Sequence, residues 1–418
     1  MVASVVTVFI DWGFTRLKLR ATNEQGLPFG DVFYYTQDIA SNPEFYSHSD
    51  LQSIKKLLAC FLCDLPSSTE LRLHLCSQMH CLAGVLASGD MFLSTWNDLP
   101  LKVCDEENVR FLDGIPLLHS MPHNKVLLRN EGLFLSSSLA KDLFATDELP
   151  ISYLASPLTL VLSDLLGVVL PCSWAWWQSC CLSETAFDIP LCASTYLSER
   201  PLILQRKLLA GRLALSSDLV IYPEVGDLQA STIKAVEASD VVINLGTGSQ
   251  VVFPNLNVND PSPFYRYWSS LNKSLVTVSH VPCGRLLAAY ASCNGLSYGS
   301  LVDHLDDLKG VQLERLVTNN LLPILFFPGY CFVARRYLHS PPASLLQLAS
   351  LPLDIVLSMW IYQYASIMSD LLRLGPQDTR SFDIAVTGNL GGLAPGFLRC
   401  LAELMLHSSS ASFNIYPA

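Results

Sequence analysis

Positive charge is scarce in this chain. Its 26 lysines and arginines are outnumbered by 37 aspartates and glutamates, for a formal net charge of −11. Nucleic-acid binders need basic patches to meet phosphate, so the reading is of no nucleic-acid partner. Phosphate held through backbone amides and a metal stays open. The opening residues MVASVVTVFID carry no basic n-region and soon meet Asp11, so no secretion signal is read. A membrane span wants ~20 mainly apolar residues. The most apolar stretch, 165–183 (LLGVVLPCSWAWWQSCCLS), is interrupted by Pro171 and Gln178 and bracketed by Asp164 and Glu184. It is read as a buried core element, with no membrane partner.

The 13 cysteines are odd in number and lack framework spacing. Without a secretion signal they read as reduced thiols in a cytoplasmic protein. Cys60 and Cys63 form a lone C-x-x-C in the apolar helical run IKKLLACFLCDL. They are expected to be buried, since no second pair stands at zinc-finger spacing. There is also no low-complexity tract and no short-period repeat.

What the chain does have is two short stretches of the same build. Residues 5–22 read VVTVFIDWGFTRLKLRAT and residues 241–253 read VVINLGTGSQVVF. Each is a β-rich run, a tight turn of small and hydroxyl residues, and a second β-rich run. The turns are Asp11-Trp12-Gly13-Phe14-Thr15 and Gly246-Thr247-Gly248-Ser249. Such turns expose backbone N–H groups with no side chain in the way, which makes a phosphate cradle. A P-loop or a Rossmann fingerprint would need a helix after the turn; here a strand follows each. One Gly-Thr-Gly-Ser by itself is an ordinary hairpin turn. Two such turns about half a chain apart predict two similar domains gripping one nucleotide, within the two or three domains that 418 residues suggest.

The remaining pattern is mixed α and β. Helices are expected over 51–65, 228–238, 286–308, 353–374 and 395–406, with strands over 71–75, 91–98, 220–225 and 384–387. Residues 151–215 read as apolar and mostly helical, and 254–263 as a surface loop. Asp11, at the end of the first strand, can hold Mg²⁺ through water or be a plain turn residue. Lys18 either reaches a phosphate or lies on a solvated face. Asp227 begins a helix, whose dipole favours the charged carboxylate. It is either only an N-cap or the weak base that accepts an alcohol proton in phosphoryl transfer. Its place just before the second hairpin favours chemistry.

The order of these segments resembles the FGGY family of carbohydrate kinases. It runs D-x-G-x-T-x-x-K from Asp11, Gln78-Met79-His80, Trp96-Asn97-Asp98, Gly226-Asp227-Leu228-Gln229-Ala230, Gly246-Thr247-Gly248-Ser249 and then Gly388-Asn389-Leu390-Gly391-Gly392. It spans nearly the whole chain, and the central segments are most similar to the sedoheptulose kinases. The resemblance implies two duplicated ribonuclease-H-like domains of the actin-like ATPase type, 1–232 for sugar and 233–418 for nucleotide, with a cleft between them. It implies ATP and Mg²⁺ as cofactors, a small-molecule sugar as substrate, and a monomer or homodimer. Asp11, Gly13 and Thr15 would form the first phosphate turn, with Lys18 also on the nucleotide, and Gly246, Thr247 and Gly248 the second. Gly388, Asn389 and Gly391 would adjoin the adenosine, and Asp11 would hold the metal through water. Gln78, Met79, His80, Trp96 and Asp98 would line the sugar site with Asp227, the catalytic base. Xylulose, ribulose and glycerol are alternative substrates, and a non-catalytic sugar- or nucleotide-binding relative is the rival reading.

Four features depart from the family pattern. Phe14 stands where a hydroxyl residue is usual. Cys81 replaces the glycine that commonly follows Q-M-H. Pro100 stands where an arginine is frequent. The chain stops at Tyr416-Pro417-Ala418, where the family normally continues into a helix.

Overall fold

A computed structural model of the chain describes residues 3–13, 16–29, 33–36, 48–66, 68–77, 82–86, 89, 91–94, 151–179, 196–205, 217–246, 248–256, 265–268, 271, 273–281, 283–308, 310–311, 348–372, 381–388, 390, 395–408 and 413–417. These fall into two compact units, with the main break between Ala230 and Ser231. Tyr267–Lys273 groups with the first unit, although the strands at its two ends, Tyr265–Trp268 and Lys273–Val281, belong to the sheet of the second.

The first unit starts with the antiparallel hairpin of β1 (Ala3–Trp12) and β2 (Arg16–Thr22), flanked by β3 (Phe33–Thr36). Val6, Val8, Ile10 and Trp12 are buried, as are Leu17, Leu19 and Ala21. Period-two burial marks strands with one covered face. The cover includes α1 (His48–Cys63), which turns Leu51, Ile54, Leu58 and Leu62 inward. That spacing leaves Cys60 and Cys63 on the other side, where both thiols are exposed. The expectation that this pair is buried is therefore overturned: the leucines take the core-facing positions.

After α1 come β4 (Ser68–Ser77), β5 (Leu82–Leu86), β6 (Met91–Ser94) and β7 (Ile151–Ala155). Then α2 (Pro157–Leu166) covers the same face as α1, with Leu158, Val161, Leu162 and Leu166 buried. Its ends are locally coded. Ser156 is extended and accepts the Thr159 N–H at 3.1 Å, Pro157 opens the helix, and Gly167 closes it at φ 65°. The short α3 (Trp174–Ser179), β8 (Leu202–Leu204), β9 (Asp218–Ile221), β10 (Val225–Gly226) and α4 (Asp227–Ala238) follow. The main sheet has the order β3-β2-β1-β4-β9-β8, with β10 pairing on β4 beyond β9, and β6-β5-β7 form a small second sheet. Residues 151–215, read as mostly helical, thus contain two strands. Ile151–Ala155 pairs with β5 and Leu202–Leu204 with β9; long-range partners override local preference. In the apolar stretch from Leu165, Leu165, Leu166, Leu170, Cys172, Ala175 and Trp176 are buried as expected, while Val169 and Trp174 are exposed.

The second unit is built around β11 (Val241–Leu245) and β12 (Ser249–Phe253), with β13 (Tyr265–Trp268) and β14 (Lys273–Val281) beyond them. Then come α5 (Gly284–Cys293), α6 (Tyr298–Asp307), α7 (Leu353–Leu372), β15 (Phe382–Thr387), α8 (Pro395–Ser408) and β16 (Phe413–Pro417). The sheet order is β13-β14-β12-β11-β15-β16. As in the first unit, an antiparallel hairpin passes its first strand on to two parallel neighbours: β1 to β4 and β9, β11 to β15 and β16. The single helix expected over 286–308 is two helices. Gly295 sits at φ 64° and Ser297 caps α6 by accepting the Ser300 N–H, so the chain stops and restarts. β16 has no counterpart in the sequence reading. Among the described residues, no helix is long and apolar enough to cross a membrane.

Helices α6 and α8 meet backbone to backbone. Gly396 donates its N–H to Asp306 Oδ1 at 3.0 Å, and Arg399 Nη2 donates to the carbonyls of Asp306 and Leu308. A Cβ on Gly396 would lie 2.0 Å from the Leu305 carbonyl oxygen. Gly396→Ala must therefore push the helices apart. It is expected to destabilise the fold by about 1–3 kcal/mol or more, read as a lowered midpoint in denaturant or thermal unfolding.

Candidate functional site

Three strand ends are level in the first unit. The parallel register pairs Asp11 with Cys76 and Trp12 with Ser77. On the other side of β4 it pairs Val225 with Cys76 and Gly226 with Ser77. The chain leaving β10 passes directly into Asp227, the first residue of α4. Alternation puts Asp11, Lys18 and Cys76 on the face away from the helical cover, and Trp12 and Ser77 on the covered face. Asp11 and Lys18 are cross-strand partners, with Nζ 2.6 Å from Oδ2. Both are partly exposed, so the pair adds little stability. Its effect is to hold a carboxylate and a cation together beside Gly13, at the mouth of the first turn.

Asp227 differs from the expectation. Its Oδ1 accepts the Leu228 N–H at 2.8 Å, yet its pKa is pushed up, to about 6. The first cause is burial, followed among the raising effects by the negative charge of Asp11; the Leu228 N–H and Lys18 work the other way. The residue's own surface is exposed, so the crowding comes from the protein around it rather than from closure over it. The helix N-terminus was expected to keep Asp227 a weak base; crowding and Asp11 outweigh it and strengthen it. Cys76 lies close enough to both carboxylates to feel them. Its thiol is held well above the ordinary value, by burial first and then by Asp11 and Asp227.

A further carboxyl lies on the covered side. Glu224, three residues before Asp227, is fully buried. Its Oε2 accepts from Ser77 Oγ at 3.3 Å, from Thr159 Oγ1 at 3.2 Å and from Ser156 Oγ. Its Oε1 has no hydrogen-bond partner among the described residues. Burial pushes the carboxyl up to about 7 against the three hydroxyls, which lower it. The sequence reading missed Glu224. Its one signal was a carboxylate inside the otherwise uncharged run LVIYPEVG.

In the second unit the ends of β11 and β15 are level, with Asn244 opposite Thr387. The turns after them carry Gly246, Gly248 and Gly388. Gly388 has φ 90°, and a Cβ there would stand 2.4 Å from the Leu245 carbonyl oxygen. The same oxygen accepts the Leu390 N–H at 3.2 Å, so the two turns interlock and only glycine fits. The Gly246 carbonyl in turn accepts the Gly284 N–H at 3.1 Å, tying the turn to the start of α5. At Gly248 a Cβ would meet nothing within 4 Å, so the chain leaves open space there.

Gln78, Met79, His80, Cys81, Trp96, Asp98 and Pro100 lie outside the described residues, as do Phe14, Thr15, Thr247, Asn389 and Gly391. Of the candidates that are described, Asp11, Gly13, Lys18 and Asp227 gather at the strand ends of the first unit. Gly246, Gly248 and Gly388 gather at those of the second. Among the described residues, no group of three or more His, Cys, Asp or Glu could hold a metal ion. A protein-built metal cage is thus absent among them, while a cation held by one carboxylate, water and phosphate oxygens is compatible with Asp11.

No protein-family model and no curated protein matches the chain. Solved structures do. A xylulose kinase from Lactobacillus acidophilus superposes at a TM-score of 0.60 with 13% identity, covering 96% of this chain and 84% of that one. A xylulose kinase from Brucella ovis gives 0.60 and 14%, covering 98% and 86%. Plasmodium falciparum glycerol kinase with ADP gives 0.56 and 10%, covering 99% and 86%. At this identity the likeness defines the fold: the chain has the mixed α/β fold of the FGGY-type carbohydrate kinase structures.

The buried carboxyl makes stability depend on pH. Glu224 holds its proton more tightly folded than unfolded, and Asp227 acts in the same direction. This contribution is fully present below the ordinary carboxyl value near 4.5 and is lost as the pH rises through about 7. Glu224→Gln should flatten that decline, removing at most about 3 kcal/mol of pH-dependent loss. Urea unfolding at intervals from about pH 4.5 to 8 measures it.

Proposed function

We propose that this chain is an ATP-dependent carbohydrate kinase that transfers the γ-phosphoryl group of Mg-ATP to a ketose hydroxyl. The observation that carries the reading is the pair of carboxylates at level strand ends, Asp11 and Asp227, electrostatically coupled across β4. The fold shared with solved carbohydrate kinases supports it. So do the interlocked glycine turns of the second unit.

The roles follow from chemistry. Asp227 takes the proton of the attacking sugar hydroxyl. That oxygen bonds to the γ-phosphorus, the bond to the bridging oxygen breaks, and ADP leaves. With its pKa raised to about 6, Asp227 is ionised at neutral pH yet more basic than an ordinary aspartate, which suits a general base. Asp11 would hold Mg²⁺ through water, and the metal would supply charge neutralisation for the phosphate oxygens. Lys18 and the backbone at Gly13 lie beside Asp11 to meet the transferred group. Gly246, Thr247 and Gly248 take the remaining phosphates, and Gly388, Asn389 and Gly391 the adenosine. Gln78, Met79, His80, Trp96 and Asp98 read the sugar. The two halves, 1–232 and 233–418, are duplicated domains in this reading, which the matching strand orders support. Sedoheptulose is the first choice of substrate, followed by xylulose, ribulose and glycerol.

The test is sugar-dependent ADP release across sedoheptulose, xylulose, ribulose, glycerol and gluconate. One sugar is expected to give turnover that Asp227→Asn lowers by roughly 10³-fold or more. Below about pH 6 the wild-type kcat/KM should fall tenfold per unit as Asp227 takes up its proton. If no sugar releases ADP while ATP still binds, the chain is a non-catalytic relative.

A further inference from the structure

Glu224 is a costly residue to keep. It is fully buried, and no ion pair reaches it among the described residues. A buried carboxyl without a cation persists only where hydrogen bonds hold it. Three do, and they come from two separate parts of the fold. Ser77 is the last residue of β4, adjacent to the Gln78-Met79-His80 segment. Ser156 caps α2, and Thr159 lies in its first turn. Glu224 itself enters the two-residue strand β10, whose whole length is Val225 and Gly226. So short a strand is a weak anchor for the residue that follows it, and that residue is Asp227.

We infer that Glu224 is a positioning residue: by gathering the hydroxyls of Ser77, Ser156 and Thr159 on one oxygen, it clamps the segment that delivers Asp227 to the ends of β4 and α2. This rests on Asp227 being the base of the proposed reaction. The clamp acts from the covered face of the sheet, while Asp11, Lys18 and Cys76 flank Asp227 from the open face. Among the described residues, the titratable groups near Glu224 are Tyr153 of β7 and Cys172 before α3, both neutral and both feeling its charge, together with Asp227 on its own segment. None is a cation that could replace the hydroxyls. One part of the clamp therefore sits 68 residues from Glu224 in sequence, at Ser156, well outside the residues that meet substrate.

The test uses Thr159→Val, Thr159→Ser and Glu224→Gln in the full chain. Thr159→Val keeps the side-chain shape and removes one hydroxyl; Thr159→Ser restores it. Two quantities are read. One is the titration of the Asp227 carboxyl by NMR of ¹³C-labelled aspartate, assigned by its loss in Asp227→Asn. The other is kcat and KM with the active sugar. Thr159→Val should move the Asp227 midpoint and lower kcat roughly tenfold with sugar KM within about twofold, Glu224→Gln should lower kcat about 100-fold, and Thr159→Ser should behave as wild type. The inference is overturned if Thr159→Val and Glu224→Gln leave the Asp227 midpoint unmoved, whether or not they lower thermal stability. Should Thr159→Val fail to fold, Glu224→Gln decides by the same midpoint. If the wild type phosphorylates no sugar, the kinase reading fails on its own, and the Asp227 titration still decides the clamp.

Discussion

The register of β4 is the constraint on which the first unit turns. It is the only strand of that sheet with β1 on one side and both β9 and β10 on the other, among the described residues. Its parallel pairing brings Asp11, Cys76 and Val225 to one level. A one-residue slip in a strand sends every side chain to the opposite face. Here it would carry Asp11 under the helices and bring Trp12 out. The buried row Val6, Val8, Ile10, Trp12 and the facing row Leu71, Leu73, Leu75 forbid that slip. The hydrophobic pattern thus fixes where a carboxylate stands.

The second unit solves a related problem with less charge. Its strand ends present turns whose shape is enforced by backbone contact, Gly388 against Leu245 and Gly246 against Gly284. At Gly248 the lack of a side chain leaves open space. At their strand ends the first unit presents carboxylates and a lysine, and the second presents glycine turns and backbone; the proposed reaction makes those two demands separately, a hydroxyl proton to accept and a polyphosphate to hold.

How much of this was legible in the sequence depended on how local the cause was. The hairpins, Asp11, Asp227 and the glycine turns could be read because turn chemistry is written in adjacent residues. The break between α5 and α6 was equally local, in Asn294, Gly295 and Ser297, and apolar periodicity on either side hid it. The strands Ile151–Ala155 and Phe413–Pro417 depend on partners far along the chain, and no window of sequence shows them. Glu224 could be seen as an odd charge, but its meaning required Ser77, 147 residues away. At Asp227 the helix start was visible, while the surrounding protein mass and the neighbouring Asp11, which outweigh it, were not.

The thiol of Cys76 stands between two negative charges and is partly buried. Oxidants and alkylating agents attack the thiolate, and this one is suppressed. Cys60, Cys63 and Cys293 are exposed. Among the described cysteines, electrophiles and peroxide will therefore react at these exposed thiols before they react at Cys76. A covalent probe aimed at Cys76 has to overcome burial and the charges of Asp11 and Asp227, and the same Asp11 charge raises Asp227.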